Sequence, residues 1–213
     1  MSSKPFLLRY TSLASLLDTL FEKRIVLRDP GSWEDGNDSY CLDLFKERRR
    51  LKTVLALCLS ETNETFHHWK VFAGNMSGVC IEFDKDSFLN HFTNADNLVV
   101  RKVRYRKIRD LQSSFGPPRE STLPFLKRHP FRDEKEIRII YWSEEEEIDS
   151  KAFPIRLSCI NQVLLSPLLL SEVADSVKSV VRKIEGCESL RIARSTLIDN
   201  PQWKSLVRGK NRP

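Results

Sequence analysis

Glycine is scarce in this sequence, with 7 among 213 residues. The common phosphate-cradling loops need several glycines close together, and no Walker loop, G-x-G-x-x-G or G-x-S-x-G motif occurs. Low glycine and only 10 prolines also exclude collagen-like and low-complexity classes. No apolar run is long enough to span a membrane, and no apolar signal segment follows the first residues. We therefore expect a cytoplasmic globular protein without a membrane partner.

Cysteine pairs with metal-ligand spacing are also lacking. The five cysteines (Cys41, Cys58, Cys80, Cys159 and Cys187) form no C-x-x-C motif and have no histidine at ligand spacing. We expect reduced thiols and no metal site, with Cys58 and Cys80 as small core residues because both lie in apolar runs. The adjacent His67 and His68 would point different ways on a helix, so they also predict no metal.

The net charge is modest, with 35 basic and 29 acidic residues giving +6. This fits phosphate-bearing partners but does not by itself indicate nucleic-acid binding. Basic side chains gather at Lys46–Lys52 and, without any acid, in a second run of Arg101, Lys102, Arg104, Arg106, Lys107 and Arg109. Two interpretations stay open, a nucleic-acid interface or a solvated charged edge strand.

The hydrophobic pattern predicts a strand–helix–strand opening. A strand at Phe6–Tyr10 precedes a helix over Thr11–Lys23, with Thr11 or Ser12 as its N-cap. The apolar residues Leu13, Leu16, Leu17, Leu20 and Phe21 recur on one face of this helix. A second strand is expected at Arg24–Arg28.

Further along, the pattern predicts core strands at Thr53–Ser60, Val79–Phe83 and Glu134–Trp142, and another strand at Asn97–Tyr105. Ser32–Tyr40 is predicted as an acidic loop and Ser121–Arg128 as a short helix. Strands outnumber helices and are interleaved irregularly, which favours a single α+β domain over residues 1–200, with mostly antiparallel sheets flanked by helices. Residues 201–213 are expected to be a basic, flexible tail.

Two groups of residues could form a site. Arg9-Tyr10-Thr11 ends a strand and opens a helix, where an anion could dock, although Thr11 could be only a cap. Glu134 and Glu136 would share a strand face roughly 7 Å apart. Paired carboxylates suit acid–base work or stabilise an oxocarbenium-like transition state, although nearby basic residues could make them a solvated strand end.

An aromatic pair is the third candidate. Trp69 and Phe72 are three residues apart on an expected helix, so they could present a platform to a flat ring or belong to the core.

Several segments together resemble a prokaryotic family of uncharacterised proteins, the twenty-nine-seventy-one domain of unknown function. The resemblance covers roughly residues 6–170 and rests on the ordered set Leu8–Leu13, Asp29–Asp35, Leu57–Thr62, Trp69–Ala73, Gly78–Phe83 and Glu134–Arg138. The chain departs from the family at Trp33–Gly36, where Phe-Asn-Asp-Pro is usual, and at Phe72 and Ile137. This family implies no activity.

A looser resemblance is to the Arg–Ser–Glu class of ADP-ribosyltransferases. It rests on Arg9 at the end of the first strand, Ser60 at the end of a core strand and Glu134-x-Glu136 on a late strand. The resemblance implies NAD as substrate, Arg9 at its phosphate or ribose, and a supporting role for Ser60. It also implies that Glu136 stabilises the oxocarbenium ion and that Glu134 orients the acceptor.

Three functions follow as hypotheses. The first is an NAD-dependent ADP-ribosyltransferase or NAD glycohydrolase, acting as a toxin or antiphage effector, with Tyr10, Thr11, Trp69 and Phe72 completing the NAD site. The second is a nucleic-acid-binding protein or metal-dependent nuclease that holds Mg²⁺ through Glu82–Lys85 or Glu134–Glu136. The third is a non-catalytic domain that senses a nucleotide or binds a partner protein in a defence or toxin–antitoxin pair.

Overall fold

The computed structural model describes residues 4–209 apart from positions 75, 94 and 115. Its strands are β1 (Phe6–Ser12), β2 (Arg24–Arg28), β3 (Thr53–Ser60), β4 (Gly78–Asp84), β5 (Leu98–Lys102), β6 (Arg104–Arg106), β7 (Leu126–Arg128), β8 (Glu136–Ser143), β9 (Ser150–Pro154), β10 (Ile160–Leu165) and β11 (Arg191–Arg194). Its α-helices are α1 (Leu13–Glu22), α2 (Gly36–Arg48), α3 (Phe66–Phe72), α4 (Lys85–Leu89), α5 (Ile108–Gln112), α6 (Ser171–Val181) and α7 (Pro201–Arg208). Short 3₁₀ helices lie at Pro30–Ser32, Asn90–Phe92, Glu120–Phe125, His129–Glu134 and Leu157–Cys159.

Nine of these strands form one sheet in the order β11-β10-β4-β1-β3-β2-β9, with β8 also paired to β3 and β5 paired to β8. The pairings are antiparallel except between β10 and β11. Strands β6 and β7 form a separate parallel ribbon. The prediction of an α+β domain with mostly antiparallel sheets flanked by helices is confirmed.

The central strand β3 joins the parts of the sheet. It pairs with β8 along its whole length, from Thr53 opposite Ser143 to Ser60 opposite Glu136. It meets β1 through the single pair Leu8–Ser60, so β1 and β3 diverge beyond that point. This divergence matters because Ser60 is the residue at which β1, β3 and β8 come together.

Strand β8 separates two apolar clusters, as its alternating pattern predicts. Ile137 and Ile139 pack into the main cluster with β3 and β4, whereas Ile140 packs with Leu42 and Phe45 of α2. Helix α1 is also where the periodicity places it, and Ser12 is its N-cap, accepting a hydrogen bond from the Ser15 backbone.

The prediction of an acidic loop over Ser32–Tyr40 is wrong, because α2 begins at Gly36. The Asp35 side chain accepts a hydrogen bond from the Asn37 backbone and caps this helix. Leu42 and Phe45 lie on one side of α2 and are buried in the second apolar cluster. Tertiary packing therefore stabilises a helix whose apolar residues show only a weak periodicity.

Three further boundaries differ from the prediction. Glu134 lies in a 3₁₀ turn before β8, because Lys135 adopts a left-handed conformation with φ of 44°. Pro124 lies within the segment predicted as a helix, which forms a 3₁₀ helix followed by β7. The predicted strand over 97–105 breaks at the buried Val103 into β5 and β6.

At the C-terminal side, the segment expected to be a flexible basic tail begins with α7, whose residues are all exposed. Residues 210–213 lie outside the described part of the chain. No helix among the described residues has the length and apolar character needed to cross a membrane.

Gly78 opens β4 at a place without room for a side chain. A Cβ there would lie 2.5 Å from the Ala73 carbonyl oxygen and 2.9 Å from that of Gly74. Because both obstacles are backbone atoms, we expect Gly78→Ala to lower the free energy of unfolding by about 1–3 kcal/mol in chemical denaturation. The matched control is Gly36→Ala, where nothing lies within 4 Å of the new Cβ. Equal denaturation midpoints for the two variants would contradict this account.

Candidate active site

A cavity of 640 Å³ lies beside Ser60 at the junction of β1, β3 and β8. Tyr10, Trp33, His68, Phe72 and Phe131 give it aromatic walls, and its other lining residues are Leu8, Glu34, Asp35, Gly36, Asn37, Asp38, Cys58, Leu59, Ser60, Val71, Lys127, Glu134 and Glu136. A volume of this size with aromatic walls and a few polar groups is typical of a small-molecule site.

Below the cavity, Arg138 is fully buried and uses all five of its N–H donors. Nε and Nη2 donate to the two carboxylate oxygens of Glu136 at 2.7 and 2.8 Å. Nη1 and Nη2 donate to the carboxylate of Asp38 at 2.9 and 2.8 Å, and Nη1 also donates to the Pro124 carbonyl at 2.9 Å. The Trp33 ring lies over the guanidinium, with its centroid 4.9 Å away. A buried charge paired in this way is stable, whereas the same charge with one partner removed is costly.

Lys127 connects the same carboxylates from the other side. Its ammonium lies 2.6 Å from Glu134 Oε2 and 3.4 Å from both Glu136 Oε2 and Asp38 Oδ2. Burial by itself would lower the pKa of Lys127, but the charges of Glu136 and Glu134 outweigh burial and raise it. Three carboxylates therefore share two permanent cations, which leaves one net negative charge.

The two glutamates have pKa values shifted in opposite directions. Burial would raise the pKa of Glu136, but the charges of Arg138 and Lys127 outweigh burial and lower it to about 2. Burial raises the pKa of Glu134, and its bond to Lys127 offsets this only in part. Environments that separate the pKa values of two neighbouring carboxyl groups in this way are typical of acid–base pairs.

The oxygens of the two glutamates are also unequally available. Both carboxylate oxygens of Glu136 accept hydrogen bonds from Arg138, and Oε2 also accepts one from Lys127. Glu134 accepts from Lys127 through Oε2, and no described residue donates a hydrogen bond to its Oε1. Glu134 is therefore the carboxylate that can receive a ligand without losing an existing partner.

Cys58 is not the core residue that was expected. It is exposed and lines the cavity, because β3 directs it to the same side as Ser60. Protein atoms around the sulfur desolvate the thiol and raise its pKa well above the usual value, and the charge of Glu136 adds to this shift. Cys80 is fully buried as expected, and all five cysteines are free thiols.

A line of hydrogen bonds joins α3 to the glutamate turn. The Ser60 hydroxyl donates to the Glu134 carbonyl oxygen at 2.6 Å and lies 3.4 Å from His68 Nε2. The other ring nitrogen of His68, Nδ1, lies 2.5 Å from Thr65 Oγ1. The His68 ring also stacks on Tyr10 with centroids 5.2 Å apart. This arrangement fixes the backbone at Glu134 from inside the cavity.

The structure brings together only some of the residues predicted for the site. Tyr10, Ser60, Phe72, Glu134 and Glu136 line the cavity, whereas Arg9, Thr11 and Trp69 do not. Trp69 is a core residue, packed with Leu8 and Cys80, and its indole N–H donates to Glu64.

Arg9 lies between two cavity residues of β1, so alternation along the strand directs it to the opposite face. It is 8 % exposed, and burial lowers its pKa to about 10. Its Nη1 is buried and has no hydrogen-bond partner among the described residues. Arg9 therefore does not line the cavity that holds Glu136, contrary to the NAD-binding role that the ADP-ribosyltransferase resemblance implies for it.

Sequence reasoning missed Asp38, Lys127, Arg138 and His68. Arg138 alone gave a signal, because it shares a strand face with Glu136 in an otherwise apolar strand. Asp38 is 100 positions from Arg138, and Lys127 belongs to a three-residue strand, so neither could be linked to the glutamates by spacing.

The described residues contain no group of three His, Cys, Asp or Glu side chains that could hold a metal ion. The Lys127 ammonium contacts both glutamates where the Mg²⁺ of a nuclease was hypothesised. In the other hypothesised segment, Asp84 caps α4 and Glu82 accepts hydrogen bonds from Asn161 and Gln162. Neither carboxylate set therefore favours a cation.

The second basic run is exposed on β5, β6 and α5. Arg106 of β6 lies directly opposite Arg128 of β7, and in the described part of the chain neither forms an ion pair. Arg104 and Arg106 also line a smaller cavity of 180 Å³ with Ser114 and Thr122. Like charges in register on a ribbon are destabilising, so this surface favours an anion.

Comparisons with known proteins give a distant structural likeness. No protein-family match is found, so the resemblance to the family of unknown function is not confirmed, and no curated protein sequence matches. Three solved structures of DarT from Thermus sp. 2.9 are similar in part. With ADP-ribosylated ssDNA bound, DarT is 10% identical, with 90% of this chain and 94% of that chain covered and a TM-score of 0.46. With carba-NAD+ bound, DarT is 10% identical, with 92% of this chain and 97% of that chain covered and a TM-score of 0.44. With NAD+ bound, it is 9% identical, with 91% of this chain and 96% of that chain covered and a TM-score of 0.45. A likeness at this level carries no argument about function.

The Arg138 network generates a stability prediction. We expect Arg138→Met to lower the free energy of unfolding by about 3–5 kcal/mol, because Asp38 and Glu136 would lose their main buried partner. Arg191→Met is the matched control, since Arg191 is exposed and its replacement should change stability by no more than about 0.5 kcal/mol. Urea denaturation followed by circular dichroism measures both. A stability loss no larger in Arg138→Met than in the control would show that the network is dispensable.

Proposed function

We propose that this chain binds NAD in the 640 Å³ cavity and cleaves the bond between nicotinamide and ribose, as an ADP-ribosyltransferase or NAD glycohydrolase. The observation that carries the proposal is the pair Glu134 and Glu136, which lines an aromatic cavity with pKa values shifted in opposite directions. The looser sequence resemblance to Arg–Ser–Glu ADP-ribosyltransferases supports the same reaction class.

The electrostatics suit this chemistry. When the C1′–N bond breaks, nicotinamide leaves with the electron pair as a neutral molecule and the ribose becomes an oxocarbenium-like cation. Fixed negative charge beside that cation lowers the barrier. Glu136 stays ionised because its pKa is about 2, and the buried network keeps one net negative charge next to the cavity.

The two glutamates take different parts in this proposal. Glu134 offers Oε1, to which no described residue donates, to the attacking hydroxyl or water and accepts the proton released as the new C1′–O bond forms. A carboxylate with a raised pKa is a better base for that step than one with a lowered pKa. Glu136 contributes charge and holds Lys127 and Arg138 in place. This reverses the emphasis that the resemblance gave to the two residues.

The aromatic walls supply the remaining binding. Tyr10 and Phe72 face the cavity with His68 between them, and Phe72 is 42 % exposed, so a flat nicotinamide or adenine ring could pack there. Arg9 is not part of the proposed contact surface. We further propose that the protein acts in the cytoplasm as a toxin or antiphage effector, because consumption of NAD would harm the cell in which it occurs.

Substitution of Glu134 tests the reaction. We expect Glu134→Gln to lower NAD cleavage on the order of 10²–10³-fold, because the amide removes the base and its charge while keeping the shape. Nicotinamide release followed by chromatography measures it. The matched control is Asp133→Asn, since that neighbouring side chain is 85% exposed and should leave turnover unchanged.

Folding of both variants is checked by circular dichroism. Wild-type protein that neither binds nor cleaves NAD, or a folded Glu134→Gln variant with full turnover, would refute the proposal. Binding without cleavage would favour the non-catalytic nucleotide sensor instead.

A second candidate function is nucleic-acid binding at the β6–β7 ribbon. It is favoured by Arg106 and Arg128, which lie in register and form no ion pair with any described residue. We expect affinity for a labelled oligonucleotide to fall steeply with salt, because phosphate contacts release counterions. Replacing Arg104, Arg106 and Arg128 together by Gln should reduce the log–log salt slope by about 2 for single strands. Replacing the exposed Arg182, Lys183 and Arg191 by Gln is the control. A salt-independent affinity would reject this function.

A further inference from the structure

The hydrogen-bond line from α3 to Glu134 has a defined direction. A serine hydroxyl carries one hydrogen, and Ser60 donates it to the Glu134 carbonyl at 2.6 Å. Toward His68 Nε2, 3.4 Å away, the same oxygen can therefore only accept. The proton of a neutral His68 ring must then lie on Nε2.

The other end of the ring agrees with this assignment. With its proton on Nε2, His68 has an unprotonated Nδ1, which accepts from Thr65 Oγ1 at 2.5 Å. Thr65 Oγ1 itself accepts from the His68 backbone N–H at 3.2 Å and so has its hydrogen free for the ring. All four groups are thereby satisfied in one order, Thr65 to His68 to Ser60 to Glu134.

The surroundings hold the ring in this orientation. His68 is 2 % exposed and its ring stacks on Tyr10 with an interplanar angle of 22°. Burial, together with the nearby His67, lowers its pKa, which favours the neutral ring that the geometry requires. A buried histidine with both ring nitrogens engaged has little freedom to turn.

We propose that His68 is a positioning residue, whose Nε2–H directs the Ser60 hydroxyl onto the Glu134 carbonyl and so sets where the Glu134 carboxylate stands in the cavity. In this role His68 acts through Ser60 and not on the reacting atoms of the substrate. Only the kinetic consequence rests on the proposed function. Because the backbone after Glu134 turns sharply at the left-handed Lys135, its carbonyl is the point at which Ser60 can fix the turn.

The first test needs no turnover. In ¹⁵N-edited NMR of the full chain, we expect His68 to show the Nε2–H tautomer at neutral pH. The ¹³C shift of the Glu134 carbonyl should move in Ser60→Ala and in His68→Phe. It should stay near the wild-type value in His68→Gln, whose side-chain amide can still donate to Ser60. An Nδ1–H tautomer or a protonated ring at neutral pH would overturn the proposal, and so would a Glu134 carbonyl shift unmoved in His68→Phe.

The second test is kinetic. Phe keeps the ring stack on Tyr10 but forms no hydrogen bonds, so His68→Phe should lower kcat for NAD cleavage by about 10–100-fold with little change in KM. His68→Gln should restore most of that loss. Because His68 acts through Ser60, the double variant His68→Phe/Ser60→Ala should be no slower than the slower single variant.

Multiplied losses in the double variant, or equal losses in the Gln and Phe variants, would show His68 to be only a packing residue and overturn the proposal. If the wild-type chain cleaves no NAD, the proposed function fails while the NMR test still decides the role of His68. Each variant is first compared with the wild type by circular dichroism.

Discussion

The candidate site depends on the buried guanidinium of Arg138. This one group joins α2 through Asp38, β8 through Glu136 and the segment before β7 through the Pro124 carbonyl. None of these contacts is local in sequence except that to Glu136, so the ion pairs can form only after the elements have packed. The walls of the cavity and the charge beneath it are therefore set by the same interaction.

A consequence of this network is the unequal state of the two glutamates. Arg138 and Lys127 keep Glu136 ionised and engage both of its carboxylate oxygens. Glu134 lies in the 3₁₀ turn before β8, and no described residue donates a hydrogen bond to its Oε1. The glutamates are two residues apart in sequence, yet the left-handed Lys135 gives them different environments. A regular strand through both positions would have placed both carboxylates on one face, without this difference.

The sequence predicts the fold class and the core strands because their signal is local. Continuous apolar runs predict β3 and β4, alternation predicts the faces of β8, and the periodicity of leucines predicts α1. Helix α2 could not be predicted in the same way, since its stability comes from Leu42 and Phe45 packing against distant segments. For the site, Glu134, Glu136 and Tyr10 were identified from residue type and position along strands. Ser60 was implied by the resemblance to Arg–Ser–Glu ADP-ribosyltransferases. Asp38, Lys127 and His68 were not identified, because their role exists only through three-dimensional contacts.

Arg9 lies on the face of β1 opposite the cavity, as alternation along the strand requires. Its buried Nη1 has no hydrogen-bond partner among the described residues, and burial lowers its pKa to about 10, so the side chain is still protonated at neutral pH. An apolar residue at this position would not carry that desolvation cost, so Arg9 makes the native state less stable than an apolar residue of similar size would. The Arg9 guanidinium thus holds a hydrogen-bond donor inside the protein beside β1 that no described residue uses.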